Sequence, residues 1–288
     1  MAIILITGAN GQLGNELKVV SKKFYGYDFI FTDVDTLDLT NSEQTTEFIK
    51  NSGPDWIINC AAYNLVDKAE NEPEKAMNIN GNAVNNITEV IKGSACRLIH
   101  ISSDYIYDGA SNVPYNESSP ANPLSAYGRS KLAGERYAMQ HNESMIIRTS
   151  WLYSSFGNNF VKTILRHAGE KESLSVVFDQ TGTPTYAADL AAVIMSIISG
   201  VIRNQVAFNA GIYNYSNEGV CTWYDFAKEI INEASLSFGV NPVLTKDYQL
   251  AAPRPSYSVM DKSKIKDNYN ISIPHWRSSL TKCMKLFK

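Results

Sequence analysis

The sequence lacks the features that mark several large classes of protein. Its four cysteines stand far apart without a C-x-x-C pair, and its four histidines show no metal-binding spacing. Basic residues are scattered and the net charge is −3, so nucleic acid is not an expected partner. We therefore expect reduced thiols and no bound metal.

No hydrophobic run is long enough for a membrane span. The longest, from Leu190 to Ile202, falls short of the roughly 20 residues that a bilayer requires, and it predicts a buried helix. The apolar residues at the N-terminus follow no basic segment and are soon interrupted by Gly8 and Gly11, which indicates a buried strand rather than a signal peptide. We expect a cytoplasmic protein with no membrane partner.

What the 288 residues do contain is an alternation of strand and helix patterns. Short apolar runs predict strands over residues 3–7, 29–32, 56–60, 98–102 and 145–148. Amphipathic stretches predict helices over residues 12–24, 41–51, 74–92 and 126–140. This alternation is typical of an α/β fold of the Rossmann type, a doubly wound parallel sheet with helices on both faces.

After about residue 150 the alternation loosens, and turn-rich segments separate the elements. Further helices are predicted over residues 159–167, 187–199 and 222–233. We predict a dinucleotide-binding domain over residues 1–150, to which segments between residues 185 and 260 return. The remaining residues, mostly within 151–288, are predicted to form a smaller mixed α/β domain that binds the substrate.

A glycine-rich loop joins the first predicted strand to the first predicted helix. Its glycines follow a G-x-x-G-x-x-G spacing. The first allows a sharp turn, the second lets the backbone approach a pyrophosphate, and the third lets the helix pack tightly. Free N–H groups and the helix dipole then favour the pyrophosphate of NADH or NADPH. The contacts that we expect from this loop are those of Gly8, Asn10, Gly11, Gln12, Leu13 and Gly14.

Asp33 is the candidate for binding the adenosine ribose of that cofactor. It follows the second predicted strand, 19 residues after Gly14, where a carboxylate can accept hydrogen bonds from a ribose. A carboxylate disfavours a 2′-phosphate, so Asp33 favours NADH without deciding between NADH and NADPH. The alternative is a solvated loop carboxylate.

The motif Y-x-x-x-K occurs at Tyr127–Lys131 and again at Tyr224–Lys228. In a chain with 16 tyrosines a chance match is expected, so the surroundings decide between them. Ser103 ends a predicted strand and Tyr127 opens the next helix, so both reach the edge of the sheet where ligands bind. Tyr224 follows no comparable serine, and we interpret it as structural.

Ser103, Tyr127 and Lys131 suit the reduction of a ketone. Hydride arriving at carbon places negative charge on oxygen, and a proton must be delivered there. Because tyrosine has an ordinary pKa of about 10, we expect the Lys131 cation to lower the pKa of Tyr127 toward the working range. The Ser103 hydroxyl can donate to the same oxygen.

Together these motifs resemble the extended short-chain dehydrogenases/reductases, and longer blocks resemble the dTDP-4-dehydrorhamnose reductase family. These blocks are residues 59–70, 102–105, 123–135, 148–153, 157–160, 179–185, 222–225 and 254–255. The resemblance implies NAD(P)H-dependent reduction of the C4 ketone of dTDP-4-dehydro-L-rhamnose to dTDP-L-rhamnose, in the synthesis of deoxysugar and cell-surface polysaccharide precursors.

The resemblance also implies roles for single residues. Tyr127 would donate the proton, Lys131 would hold the nicotinamide ribose, and Ser103 would bind the ketone oxygen. The implied substrate contacts are Asn64, Val66, Ser103, Asp104, Tyr105, Trp151 and, at the diphosphate, Arg254. The implied cofactor contacts beyond the loop and Asp33 are Asp38, Leu39, Ala61, Ala62, Tyr63, Tyr127 and Lys131.

The chain departs from the family's pattern at two places. Asn64 stands where the family usually has Thr, so the substrate pocket is expected to differ there. Some members dimerise through a magnesium ion, and Glu16 and Asp189 loosely match two of its ligands. Because no acidic residue near Lys288 matches the third, we do not expect magnesium. The oligomeric state stays open between monomer and homodimer.

Two other functions stay open at this point. One is a nucleotide-sugar 4-epimerase, which uses the same three catalytic residues but retains its cofactor and returns the hydride. The other is a non-catalytic regulatory subunit of the same fold, such as the β subunit of methionine adenosyltransferase. The intact group of Ser103, Tyr127 and Lys131 favours an enzyme.

Replacing each motif tyrosine by phenylalanine tests which motif is catalytic. We expect Tyr127→Phe to lower turnover by about 10²-fold or more, because the general acid is lost while the ring remains. Tyr224→Phe is the matched control and is expected to keep most of the activity. Steady-state turnover and cofactor binding measure both, and near-normal turnover in Tyr127→Phe would place the chemistry elsewhere.

Overall fold

A computed structural model describes residues 1–248 and 250–287, and within them six parallel strands form one sheet. The remaining strands pair two by two outside it. The strands are β1 (Ala2–Thr7), β2 (Tyr27–Phe31), β3 (Trp56–Asn59), β4 (Arg97–Ser103), β5 (Ser144–Thr149), β6 (Leu152–Tyr153), β7 (Ser173–Val177), β8 (Thr181–Gly182), β9 (Thr185–Tyr186), β10 (Gly211–Tyr215), β11 (Cys221–Thr222) and β12 (Gly239–Val243).

Helices cover both faces of the sheet and build the second half of the chain. They are α1 (Gln12–Ser21), α2 (Ser42–Ser52), α3 (Val66–Asn71), α4 (Pro73–Met77), α5 (Ala83–Ile91), α6 (Ala126–Ala138), α7 (Phe160–Glu170), α8 (Ala187–Ile202), α9 (Trp223–Ala234), α10 (Ser263–Tyr269) and α11 (Trp276–Met284). No helix in the described part of the chain is both long enough and apolar enough to cross a membrane.

The main sheet has the strand order β10-β5-β4-β3-β1-β2, with every neighbouring pair parallel. Its central strands are buried on both faces, which is why they are continuous apolar runs rather than alternating patterns. The predicted Rossmann-type α/β fold is confirmed. Because all six strands run the same way, their carboxyl ends lie at one edge.

The prediction of a single helix over residues 74–92 is wrong in detail. The segment is divided into α4, a π-helical turn over Asn78–Asn82, and α5. The buried side chain of Asn80 accepts a hydrogen bond from the Tyr63 N–H at 2.8 Å and donates to the Ser130 hydroxyl at 2.9 Å. The wider turn therefore holds Asn80 between the loop after β3 and helix α6, a use typical of π-bulges at functional sites.

Two segments from the second half pack with the first half. Strand β10 pairs with β5 at the edge of the main sheet, and α8 packs on α1 in the same hydrophobic core as β1 and β5. Helix α8 contains the apolar run that was predicted to be a buried helix. These contacts support returning segments within residues 185–260, while the domain boundary itself stays a prediction.

A separate hydrophobic core supports the rest of the second half. Helices α7, α9 and α11 pack around Phe226, whose ring lies 5.7 Å from that of Phe160 and 5.8 Å from that of Trp276. Helix α9 begins with a capping box, in which Thr222 and Asp225 bond reciprocally to each other's backbone N–H. This core fixes the elements that face the carboxyl edge of the sheet.

Gly134 is a point of close approach between α6 and the π-helical turn, and it offers a stability test. A methyl group there would meet the carbonyl oxygen of Asn80 and lie 3.2 Å from Nε2 of His100. We expect Gly134→Ala to lower the free energy of unfolding by about 1–3 kcal/mol through overpacking. Urea unfolding measures the change.

Gly169→Ala on α7 is the matched control for Gly134→Ala. An added methyl group at Gly169 meets no atom of the described residues within 4 Å. Because alanine is favoured over glycine in helices, this variant is expected to keep or slightly raise the stability. Equal free energies of unfolding in the two variants would contradict the close packing at Gly134.

Candidate active site

A cavity of about 470 Å³ lies at the carboxyl edge of the sheet. The glycine loop after β1, the ends of β4 and β5, and the first turns of α6 form its wall. The predicted site residues that line it are Gly8, Gly11, Gln12, Leu13, Gly14, Ala62, Asn64, Val66, Ser103, Asp104, Tyr105, Tyr127, Lys131 and Trp151.

The geometry of the glycine loop explains two of its glycines. Gly8 has φ +63°, and a Cβ there would lie 2.6 Å from the backbone nitrogen of Ala61. A Cβ on Gly14 in α1 would collide with the carbonyl oxygen of Gly8 and with Ala9, so Gly14 allows the close packing of the helix against the end of β1. Neither position has room for a side chain.

The first turn of α1 offers a binding place for an anion. Gly11 is its N-cap, and among the described residues no side chain caps this helix. The first helical residues, Gln12, Leu13 and Gly14, line the cavity. Backbone N–H groups at such a helix end, together with the helix dipole, fit the pyrophosphate of a dinucleotide.

Asp33 is tied to the glycine loop. Its Oδ2 accepts a hydrogen bond from the Asn10 N–H at 2.8 Å, and its Oδ1 accepts one from the Val34 N–H at 2.8 Å. The carboxylate thus supports the loop whether or not a ribose also binds to it. These two hydrogen bonds do not distinguish NADH from NADPH.

Six of the residues that were predicted to bind the cofactor do not line this cavity in the described part of the chain. They are Asn10, Asp33, Asp38, Leu39, Ala61 and Tyr63. Two of these side chains already have hydrogen-bond partners within the protein. Asp38 Oδ1 accepts a hydrogen bond from the Thr40 hydroxyl at 2.7 Å, and the Tyr63 hydroxyl donates one to Glu72 at 2.9 Å. Cofactor contacts by all six stay predictions.

Ser103, Tyr127 and Lys131 are brought together as predicted from their places at the end of β4 and the start of α6. The Ser103 hydroxyl donates to Asp104 Oδ1 at 3.1 Å, and the Tyr127 hydroxyl donates to Asn64 Oδ1 at 3.3 Å. The Lys131 ammonium donates to the Ile101 carbonyl at 2.6 Å. All three side chains line the same cavity, but their catalytic roles remain a proposal.

The pKa of Tyr127 departs from the prediction. Burial raises it to about 12, while the neighbouring Ser103 hydroxyl lowers it and the charge of Asp104 raises it. The expected lowering by Lys131 is wrong for this structure, because the loss of hydration outweighs any attraction between the two groups. Tyr127 is therefore protonated at neutral pH and carries a proton to donate, but the raised pKa makes it a weaker acid than free tyrosine.

The pKa of Lys131 moves the other way. Burial lowers it to about 8, and the negative charge of Glu135 opposes that change most strongly. Both shifts have the same cause, since a low-dielectric site disfavours the phenolate of Tyr127 and the ammonium of Lys131 alike. At neutral pH most of Lys131 remains charged.

Trp151 forms an aromatic wall together with Trp223, which sequence reasoning did not select. The two rings stack with centroids 3.6 Å apart and planes 10° apart. Trp151 has φ +48°, an unusual value for a bulky residue, and such strain is typical of functional sites. Trp223 lines the cavity from the start of α9. The only sequence signal for Trp223 was its place in the block over residues 222–225.

A second cavity of about 690 Å³ adjoins the first, and both are lined by Asn64, Val66, Tyr105 and Trp223. Arg254 lines this second cavity rather than the first. Further residues of its wall that sequence reasoning missed are Phe160, His167, Gln180 and Tyr248. Ser103, Tyr127 and Lys131 line only the first cavity, so the end that holds Arg254 is distal to them.

Arg254 is paired with a carboxylate, which the sequence did not predict. Its guanidinium donates to the two oxygens of Asp67 at 2.6 and 3.1 Å. The hydrogen bond from Arg254 is the main reason that the pKa of Asp67 lies below its usual range. A diphosphate contact by Arg254 stays a prediction, and the pair with Asp67 would orient the guanidinium for it.

The two acidic residues considered for magnesium have protein partners. Glu16 accepts a hydrogen bond from Ser154 at 2.6 Å, and Asp189 accepts hydrogen bonds from Asn217 at 2.8 Å and from Ser279. In residues 1–248 and 250–287, no group of three or more His, Cys, Asp or Glu side chains is arranged to hold a metal ion.

The parallel sheet, the glycine loop at its edge and the grouped Ser, Tyr and Lys side chains define an oxidoreductase of the extended short-chain dehydrogenase type. Comparison with known proteins gives the family. The sequence model of the family described as RmlD substrate binding domain matches residues 1–288, and the chain belongs to that family.

Individual relatives cover nearly the full length of the chain. A dTDP-4-dehydrorhamnose reductase of Aggregatibacter actinomycetemcomitans is 38% identical over 97% of both chains. The crystal structure of such a reductase from Clostridium acetobutylicum matches with a TM-score of 0.92 at 37% identity, over 99% of both chains. One from Bacillus anthracis, solved in complex with NADP, matches with a TM-score of 0.91 at 38% identity, over 99% of this chain and 100% of the other.

Asp33→Asn tests the role of the Asp33 charge. The amide oxygen can still accept the Asn10 N–H, but the negative charge that disfavours a 2′-phosphate is gone. We expect the ratio of the two dissociation constants, Kd for NADPH over Kd for NADH, to fall at least several-fold, as measured by cofactor fluorescence. Any loosening of the loop would weaken both cofactors and leave this ratio unchanged, so a constant ratio removes Asp33 from the ribose site.

Proposed function

We propose that this protein reduces the C4 ketone of dTDP-4-dehydro-L-rhamnose to dTDP-L-rhamnose, with NADPH or NADH as the hydride donor. The observation that carries the proposal is the meeting of Ser103, Tyr127 and Lys131 in one cavity beside the glycine loop. The adjoining second cavity gives room for the nucleotide half of a substrate. Relatives named as reductases support this over the epimerase and the regulatory subunit.

The cavity residues supply the groups that ketone reduction requires. Reduced nicotinamide, when bound, supplies the hydride. Tyr127, which is protonated at neutral pH, donates the proton to the ketone oxygen. The Ser103 hydroxyl donates a hydrogen bond to the same oxygen and stabilises its developing charge. Lys131 holds the ribose of the cofactor and adds a positive charge beside that oxygen.

Residues in the walls of both cavities recognise the substrate. The Trp151 ring, supported by Trp223, offers an apolar face to the deoxysugar and its methyl group. Asn64 lies next to the Tyr127 hydroxyl, so it contacts both the proton donor and the space where the sugar would bind. Arg254 provides positive charge at the distal end for a diphosphate.

The substrate and cofactor of the proposed reaction are small anionic metabolites, which supports a cytoplasmic location. The protein would act there in the synthesis of deoxysugar precursors for cell-surface polysaccharide. A monomer or a homodimer is compatible with this function.

The test of the function follows NADPH and NADH absorbance with dTDP-4-dehydro-L-rhamnose generated in place. We expect substrate-dependent oxidation of at least one cofactor, stoichiometric with dTDP-L-rhamnose formed. Tyr127→Phe is the control for the site and should lower the rate by about 10²-fold or more. Interconversion of nucleotide sugars without net oxidation of NAD(P)H would instead establish an epimerase.

A further inference from the structure

A buried ion pair lies one helical turn beyond Lys131. The side chains of Glu135 and Arg148 are only 3% and 4% exposed. Arg148 donates to the carboxylate through NH2 at 2.7 Å and through Nε at 2.9 Å, so the pair is bidentate. Burying two charges is costly, and such pairs add little stability compared with apolar residues. Stability alone therefore does not account for this pair.

Three strands of the main sheet hold the pair in place. The Ser102 hydroxyl of β4 donates to Glu135 at 2.5 Å, and Arg148 belongs to β5. The remaining guanidinium nitrogen of Arg148 donates to the Tyr107 hydroxyl at 3.0 Å, which donates to Asn214 of β10 at 3.3 Å. Both carboxylate oxygens of Glu135 thus have partners, and its orientation is fixed.

The position of Glu135 links the two elements that carry the catalytic group. Glu135 lies four residues after Lys131 and eight after Tyr127, so the three share one side of α6. Its partner Ser102 directly precedes Ser103 on β4. The bond from Ser102 to Glu135 therefore joins the strand that ends in Ser103 to the helix that carries Tyr127 and Lys131.

The charge of Glu135 also acts on Lys131. Burial lowers the pKa of Lys131 to about 8, and Glu135 is the strongest of the groups that raise it. The other titratable groups near the ammonium, Cys60 after β3 and His100 on β4, are neutral at pH 7 because burial raises the pKa of Cys60 to about 12 and lowers that of His100. Glu135 is thus the anion that favours the ammonium form, and Arg148 is the cation paired with it.

We propose that Glu135 is a positioning residue of this site: its carboxylate, fixed by Arg148 and Ser102, places a negative charge one helical turn from Lys131 and sets α6 against the end of β4. The proposal rests on the proposed function only in assigning Lys131 to the cofactor. A purely structural ion pair would stabilise the fold without affecting how Lys131 titrates.

Cofactor binding as a function of pH tests the proposal without the sugar substrate. In the wild type, NADPH affinity should fall as pH rises through the pKa of Lys131, near 8. Glu135→Gln removes the anion and so lowers the pKa of Lys131, which moves that fall to lower pH by at least one unit. At pH 8 the variant should bind NADPH at least about 5-fold more weakly than the wild type, and at pH 6 the difference should be much smaller.

Two further variants separate charge from shape. Glu135→Asp keeps the charge but shortens the side chain, so its pH dependence should stay close to that of the wild type. The double variant Glu135→Gln with Arg148→Met removes both buried charges, and such replacements usually fold well. Because it removes the cation together with the anion, it should shift the pH dependence in the same direction as Glu135→Gln but by less, and it serves in that variant's place if an unpaired Arg148 prevents folding.

The outcomes are distinct from a failure of the proposed function. A wild-type pH dependence in folded Glu135→Gln or in the double variant would overturn the positioning role, even if the protein is a reductase. Equal losses in the Gln and Asp variants at every pH would also overturn it, since they indicate packing alone. Absent turnover of the sugar nucleotide would overturn the proposed function and leave the binding result standing.

Discussion

The hydrogen bonding of six parallel strands is the constraint on which the site depends. Parallel pairing in the order β10-β5-β4-β3-β1-β2 places every carboxyl end at one edge, so residues distant in sequence meet there. The glycine loop after β1, Ser103 at the end of β4 and Trp151 just after β5 all arrive at the cavity for this reason. Helix α6 packs on β4 and completes the site, because it carries Tyr127 and Lys131.

Burial decides the proton chemistry at that edge. The same loss of hydration raises the pKa of Tyr127 and lowers that of Lys131, so the site favours a neutral phenol and only weakly holds an ammonium. A protonated phenol suits reduction, in which oxygen must gain a proton. The charge of Glu135 is the strongest influence that raises the pKa of Lys131, and it thereby favours the ammonium.

Much of the fold and of the catalytic group could be predicted because local rules govern them. Strand periodicity placed five of the six strands of the main sheet to within a few residues but not β10, and the spacing of Tyr127 and Lys131 on a helix followed directly from the sequence. The π-helical turn at Asn80 could not be predicted, since it depends on hydrogen bonds to Tyr63 and Ser130, which are distant in sequence. Trp223 was missed for the same reason.

The sequence by itself determined the parallel α/β fold and the glycine loop, and it predicted Tyr127 rather than Tyr224 as the catalytic tyrosine, since each rests on residue type and spacing along the chain. Only the tertiary structure decided the sign of the pKa shift of Tyr127, the pairing of Arg254 with Asp67 and the ion pair behind Lys131. These depend on burial and on contacts between distant segments. Periodicity and motif spacing carry no information about how much water a folded site excludes or which charge faces another.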